Sequence, residues 1–342
     1  MKNLFNIFLL SAVGWSCTHN TGTEKYQGKR DRIINVRDKV KEIKIDDVLL
    51  GNITCQYLID DYLMISDYKS PDKTIHLFDK NTYRYVTSTA PRGQGPGEIA
   101  ELGYTGIDEA KRRFYVTDLG KLRILEYKLD SVLSNPLYMP EEKKKLNESK
   151  FPHSYHYIHD TLCVGIIVEP VGNADFKQMV GKWNMATGAI EPMKYEHPGI
   201  EKKRIGLAVS TEHGIYVECY ANYDLLTICT LDGELRYNIY ERNQDNTRST
   251  PMFYYNSVAF CGDKIMALYC GKISHFRNET GGITVNYPTQ LIVFNLQGDY
   301  LQTLEVGYKI NDFCYDKENN RLILTMNDDI QVGYLDLGEL DF

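Results

Sequence analysis

Apolar positions along this chain cluster in short runs of about five or six residues and never settle into a sustained helical period. Leu63-Met64-Ile65-Ser66-Asp67 is followed by Thr74-Ile75-His76-Leu77-Phe78-Asp79, and Phe114-Tyr115-Val116-Thr117-Asp118 by Arg123-Ile124-Leu125-Glu126-Tyr127. The same kind of pair returns at Leu162 with Val180–Trp183, and at Ile215 with Thr227–Leu231. It returns again at Ile265 with Leu291–Leu296, and at Leu322 with Val332–Leu335. These runs are rich in Ile, Val, Tyr and Phe and are punctuated by Asp-Gly, Gln-Gly-Asp and Asn-Asn, which predicts β-strands joined by turns. Counted from Leu63, Phe114, Leu162, Ile215, Ile265 and Leu322, the spacings are 51, 48, 53, 50 and 57 residues. A near-constant period marks six copies of one unit, not a set of unrelated domains. The one helical candidate is the charged stretch from Pro140 to Ser149.

A copy of roughly 50 residues holds four short strands with their loops. One such sheet cannot bury both faces, but six packed around an axis can. The pattern therefore predicts an all-β chain, a six-bladed β-propeller. The last copy runs out at Phe342 with about three strands, while Val40-Lys41-Glu42-Ile43-Lys44-Ile45 alternates ahead of the first copy. That segment is expected to be the outer strand of the last blade, closing the ring. The domain plan is residues 1–16 as a signal segment, 17–38 as a flexible tether and 39–342 as the propeller.

The start of the chain gives an address. Met1-Lys2-Asn3 precedes an apolar stretch from Leu4 to Val13, which is too short to span a bilayer and fits a secretory signal. Gly14-Trp15-Ser16-Cys17 follows, and it resembles the lipobox of bacterial lipoproteins, with Gly14 where that family usually has Leu, Val or Ile. The resemblance implies cleavage before Cys17 and diacylglycerol on its sulfur, hence a membrane partner through a lipid anchor. The implied place is the bacterial cell envelope, at the outer membrane facing the periplasm. Thr18 to Lys29 is polar and without period, as a tether would be.

Composition narrows the chemistry. Lys plus Arg is 39 against 46 Asp plus Glu, a formal charge of −7, with no basic block. Nucleic acid is not expected as a partner, because phosphate backbones are held by clustered cations. Seven cysteines remain after Cys17 without a C-x-x-C pair, so neither a zinc ribbon nor a thioredoxin-type centre is indicated. His153, His156 and His159 are spaced so that strand alternation sends His156 away from the other two, and no metal site is assigned. No nucleophile elbow, Ser-His-Asp order or zinc-protease motif occurs. The expectation is no cofactor and no assigned catalytic residue.

Between the first and second copies lies Pro91-Arg92-Gly93-Gln94-Gly95-Pro96-Gly97-Glu98. It resembles the G-x-G-P-G-E signature of TolB-like and NHL-like six-bladed propellers, in particular a family of propeller lipoproteins of unassigned activity. The resemblance implies fold and compartment and is silent on chemistry. In such a ring, the loops joining second to third strands share one face with those joining outer to next inner strands. That face is expected to gather Arg92, Glu98, Asp67, Asp118, Tyr220, Tyr223, His275 and Arg277 as ligand-binding candidates. Tyrosine is the compositional excess, 26 residues, and exposed tyrosines suit protein or glycan contacts. The leading expectation is a non-catalytic binding or scaffold lipoprotein with a protein or glycan partner at the loop face. The alternative is a glycan lyase, or a lactone or ester hydrolase, at the channel mouth.

Overall fold

A computed structural model describes residues 22–172, 175–241, 252–277 and 281–340. Six sheets follow one another around a central channel, each with four antiparallel strands; five take theirs in chain order from the channel to the rim, and in the sixth the outer strand comes from the N-terminal segment. The inner strands are Thr54–Ile59, Leu102–Asp108, Phe151–His159, Ile205–Ser210, Met252–Cys261 and Ile310–Asp316, and they define blades 1 to 6. The chain is a six-bladed β-propeller.

Burial follows from position in the blade. The second and third strands have neighbours on both faces, so Tyr62–Asp67 and Ile215–Tyr220 are apolar and buried almost throughout. Side chains from facing sheets fill the space between blades. Met64, Ile75 and Leu77 of blade 1 pack on Phe114, Val116 and Leu125 of blade 2, with Phe114 stacked on Tyr127 at 4.9 Å. Tight turns return inner strand to second strand at Asp60, Asp160 and Gly262, with φ of 54°, 42° and 61°. Asp and Gly tolerate that left-handed backbone better than branched residues do.

The ring is closed by the N-terminal segment. Lys41–Glu42 pairs antiparallel with Val332–Asp336 and completes blade 6, as the alternation of residues 40–45 predicts. Ile43 then enters the apolar seam between the last and first blades with Leu63, Ile65, Ile323 and Val332.

The strap is longer than the sequence suggests. Glu24–Gln27 adds in parallel to the outer strand of blade 4, and Ile33–Asn35 adds in parallel to that of blade 5. The structure thus differs from a tether running to residue 38: two stretches of it, Glu24–Gln27 and Ile33–Asn35, are strands paired to the propeller. These strands lie on the rim, where one face meets water, so they carry little apolar signal. Tyr26 stacks on Tyr240 at 5.1 Å and Lys25 lies over Tyr237. Between the two strands, Arg30 reaches inward and forks onto Asp224 at 3.1 and 2.8 Å. Tyr255 and Tyr269 donate to the same carboxylate at 2.8 and 2.7 Å, so the buried charge is fully surrounded by donors.

A second correction concerns the charged stretch read as helical. Glu141–Lys145 is the outer strand of blade 2, and the α-helix in that region is the shorter Leu129–Ser134 just before it. Consecutive Glu and Lys residues suit an exposed sheet edge, where charge discourages pairing with other chains.

Arg30→Ala leaves Asp224 buried without its cation, so unfolding free energy is expected to fall by about 3–5 kcal/mol. Urea denaturation checks this as a lower midpoint with unchanged slope; a loss below about 0.5 kcal/mol would make the strap peripheral.

Candidate functional site

The inner strands do not alternate cleanly. Those of blades 2, 3, 5 and 6 carry bulges in their first halves, between Leu102 and Thr105, Pro152 and Ser154, Tyr255 and Val258, and Ile310 and Asp312. Blades 1 and 4 have unbroken inner strands. A bulge adds a residue to one strand and re-aims the neighbouring side chains. Here the residues in or beside the bulges are Tyr104, His153, Ser257 and Asp312, and all four border the central channel together with Cys55 and Tyr57 of blade 1. The channel encloses about 1130 Å³ and runs down to the turns at the opposite face.

At this level the wall is aromatic. Tyr57 and Tyr104 meet edge to face at 5.9 Å, and Tyr104 contacts Tyr155 at 5.3 Å and His156 at 6.5 Å. Tyr68 lines the same stretch from the loop after the second strand of blade 1. Asp312 is the carboxylate of this belt. Burial pushes its pKa up to about 6, although the Ser257 hydroxyl, the Phe313 N–H and the Cys55 thiol favour its charged form. No lysine, arginine or histidine forms an ion pair with it among the described residues. The Ser257 hydroxyl is itself buried without a well-formed hydrogen bond there.

The neighbours are held neutral. Burial, helped by the Asp312 charge, pushes the Cys55 thiol up. Burial likewise raises Tyr57, Tyr68 and Tyr104, and lowers His153 and His156. A reactive cysteine needs the opposite shift, towards thiolate. The belt can stack, donate and accept hydrogen bonds, and place one negative charge. It lacks the features of an activated nucleophile.

None of the eight residues expected at the loop face borders the channel. Asp67 is buried and accepts the N–H groups of Gly51, Lys69 and Ser70 at 2.7–3.0 Å. Asp118 accepts those of Ala100 and Glu101 and the Nε–H of Arg123. Each carboxylate thus anchors the loop that leads into its own blade. Arg92 donates to the carbonyls of Ser70 and Tyr68 at 2.6 and 2.9 Å, and Glu98 accepts the Gly95 N–H at 2.7 Å. The Gly-Pro-Gly-Glu segment is therefore a self-bonded turn, docked on the next blade by Lys121 and Arg123. Arg92 is not free to act as an anion fork. Tyr220 is buried and donates to Glu218 at 2.9 Å, beside Lys203, while Tyr223 packs half-buried near Ile200 and Leu225.

Only His275 and Arg277 are exposed. They sit on a hairpin, His275–Arg277 with Ile283–Val285, inserted in blade 5, which also exposes Phe276, Ile283 and Val285. The histidines His153, His156 and His159 all border the channel, as does every residue from His153 to Asp160, because the inner strand lies edge-on to it and both of its faces contribute. Still, no cluster of three or more metal-ligating side chains forms among the described residues. Cys17 lies outside the described residues.

Residues 44–149 match a family model described as a 6-bladed β-propeller (DUF5128). Among solved structures, the chain is similar to a member of the DUF4221 family from Bacteroides vulgatus, at 11% identity and TM-score 0.58, covering 86% of this chain and 94% of that one. A Bacteroides fragilis protein described as exported aligns at 12% identity and TM-score 0.53, covering 89% and 88%. A luciferin-regenerating enzyme aligns at 10% and 0.55, covering 86% and 93%. At these identities the likeness is one of fold. No curated protein matches the chain. Among the described residues no helix is long and apolar enough to cross a membrane.

The Asp312 shift fixes a sign. A carboxylate whose pKa is raised on folding costs stability as pH rises from about 4 to about 6, and the full cost persists above that window. For a rise from 3.8 to about 6 this is up to about 3 kcal/mol. Asp312→Asn is expected to raise the melting temperature at pH 7 and to flatten the pH dependence between 4 and 6. Calorimetry finding the variant less stable would mean that the carboxylate supports the fold.

Proposed function

We propose that the chain is a lipid-anchored binding protein of the bacterial cell envelope, non-catalytic, with its ligand site in the central channel. The observation that carries this reading is the bulged belt: the inner strands of several blades converge polar and aromatic groups on one level of a channel of about 1130 Å³. Ligand pockets of this size, largely apolar with a few placed polar groups, suit small molecules or short segments of larger ones. The loop face lends this reading less support, since most of its polar groups are occupied by their own turns. The exposed hairpin at His275–Val285 offers that face a contact surface for a protein partner.

The anchor part of the reading rests on the Cys17 motif, and the likeness to a protein described as exported is consistent with it. Six residues stand between Cys17 and the first strand residue Glu24, a contour of about 20 Å at most. The propeller would then ride close to the membrane surface.

Cys17→Ser is expected to abolish incorporation of a fatty-acid label and move the protein from the membrane to the soluble envelope fraction. Retention of label in that variant would refute the anchor. Native mass spectrometry of the full-length protein, extracted in mild detergent, is expected to detect a bound ligand that Tyr104→Trp excludes. A ligand-free protein that turns over a polysaccharide or a lactone would replace this reading with a catalytic one.

A further inference from the structure

Asp312 is a partly desolvated carboxylate in a channel, flanked by neutral groups and lacking a cation of its own among the described residues. Such a charge is costly unless something pairs with it. The opposite wall belongs to blade 3, whose channel histidines are pushed towards neutrality by burial. Tyr57, Tyr68 and Tyr104 border the same channel as Asp312, and Tyr57 meets Tyr104 edge to face at 5.9 Å. Of the seven carboxylates that border the channel, Asp60, Asp108, Asp160, Asp316 and Glu318 are ion-paired with Arg112, Lys111, Arg321 or Lys80, whereas Asp312 has no such partner among the described residues.

We propose that the belt binds an alkylammonium group, with Asp312 as its counter-ion and Tyr57, Tyr68 and Tyr104 as the aromatic walls. This deepens the channel-binding reading and rests on it. The rings supply cation–π attraction and cover the alkyl part, while Asp312 supplies the charge that selects ammonium over a neutral or anionic group.

Protonation tunes the site. The titratable groups facing Asp312 are Cys55, Tyr57 and Tyr68 from blade 1, Tyr104 from blade 2 and Cys314 on its own strand. All five are pushed up and stay neutral at and below pH 8. Asp312 alone among them changes charge as the pH falls through about 6.

The test is titration calorimetry of the full-length protein in detergent at pH 7.5 and about 0.15 M salt, which screens surface charge. The probes are spermidine, the neutral maltotriose and the anionic citrate. Spermidine is expected to bind one to one, at least about tenfold more weakly to Asp312→Asn, and more weakly as pH drops below about 6. Thermal melting confirms that the variant is folded. Equal spermidine binding by both proteins overturns the assignment. So does saturation by maltotriose or citrate without spermidine, which leaves channel binding itself intact. Failure of all three probes, with no ligand found by native mass spectrometry, refutes both readings.

Discussion

Everything in this molecule depends on a sheet that the end of the chain cannot complete. The last blade has three strands of its own, and its open edge is satisfied by Lys41–Glu42, brought from the other end of the sequence. Ring closure of this kind carries a large loop-entropy cost, because it joins residues about 290 positions apart. The structure offsets it with more than two paired residues. Ile43 fills the seam between blades 6 and 1, Val36 packs between blades 5 and 6, and Arg30 inserts beside blades 4 and 5. One short segment thus clasps half of the ring.

Closure sets the geometry of the channel, and the channel departs from sheet regularity where chemistry would be placed. Four of six inner strands are bulged. The bulges lie beside Tyr104, His153, Ser257 and Asp312 of one belt, at the expense of ladder hydrogen bonds and of partly desolvating a carboxylate that has no cation among the described residues. A sequence under pressure for stability alone would place an apolar residue at 312. Stability given up at a concave site is a pattern of binding positions.

The sequence makes the second and third strands readable, since both of their faces are buried and the apolar runs at Leu63 or Ile215 are continuous. The six-fold repeat and the latch at residues 40–45 follow from that. The rim strands at Glu24–Gln27 and Ile33–Asn35 are not readable, because an edge strand half in water needs no apolar pattern. The belt is hidden for another reason. Alternation predicts which side of a strand a residue takes, and each bulge resets that count, so Asn311-Asp312 and Asn256-Ser257 look like ordinary loop chemistry. Asp67, Asp118, Arg92 and Glu98 mislead in the opposite sense. Charged residues at predicted loops resemble a binding face, yet carboxylates and guanidinium groups also satisfy backbone donors and acceptors at turns, and here they do so. A polar pair inside an inner strand, as at His153-Ser154, Asn256-Ser257 and Asn311-Asp312, is the signal that would have pointed to the channel.

Amide hydrogen exchange tests the central claim most directly. If the N-terminal clasp holds the ring shut, amides of the strap at residues 33–43 open only with the whole propeller, and their free energy of opening matches that of Leu322 to Leu324 in blade 6. Strap amides exchanging at loop rates, while the strands of blades 1 and 6 stay protected, would contradict it.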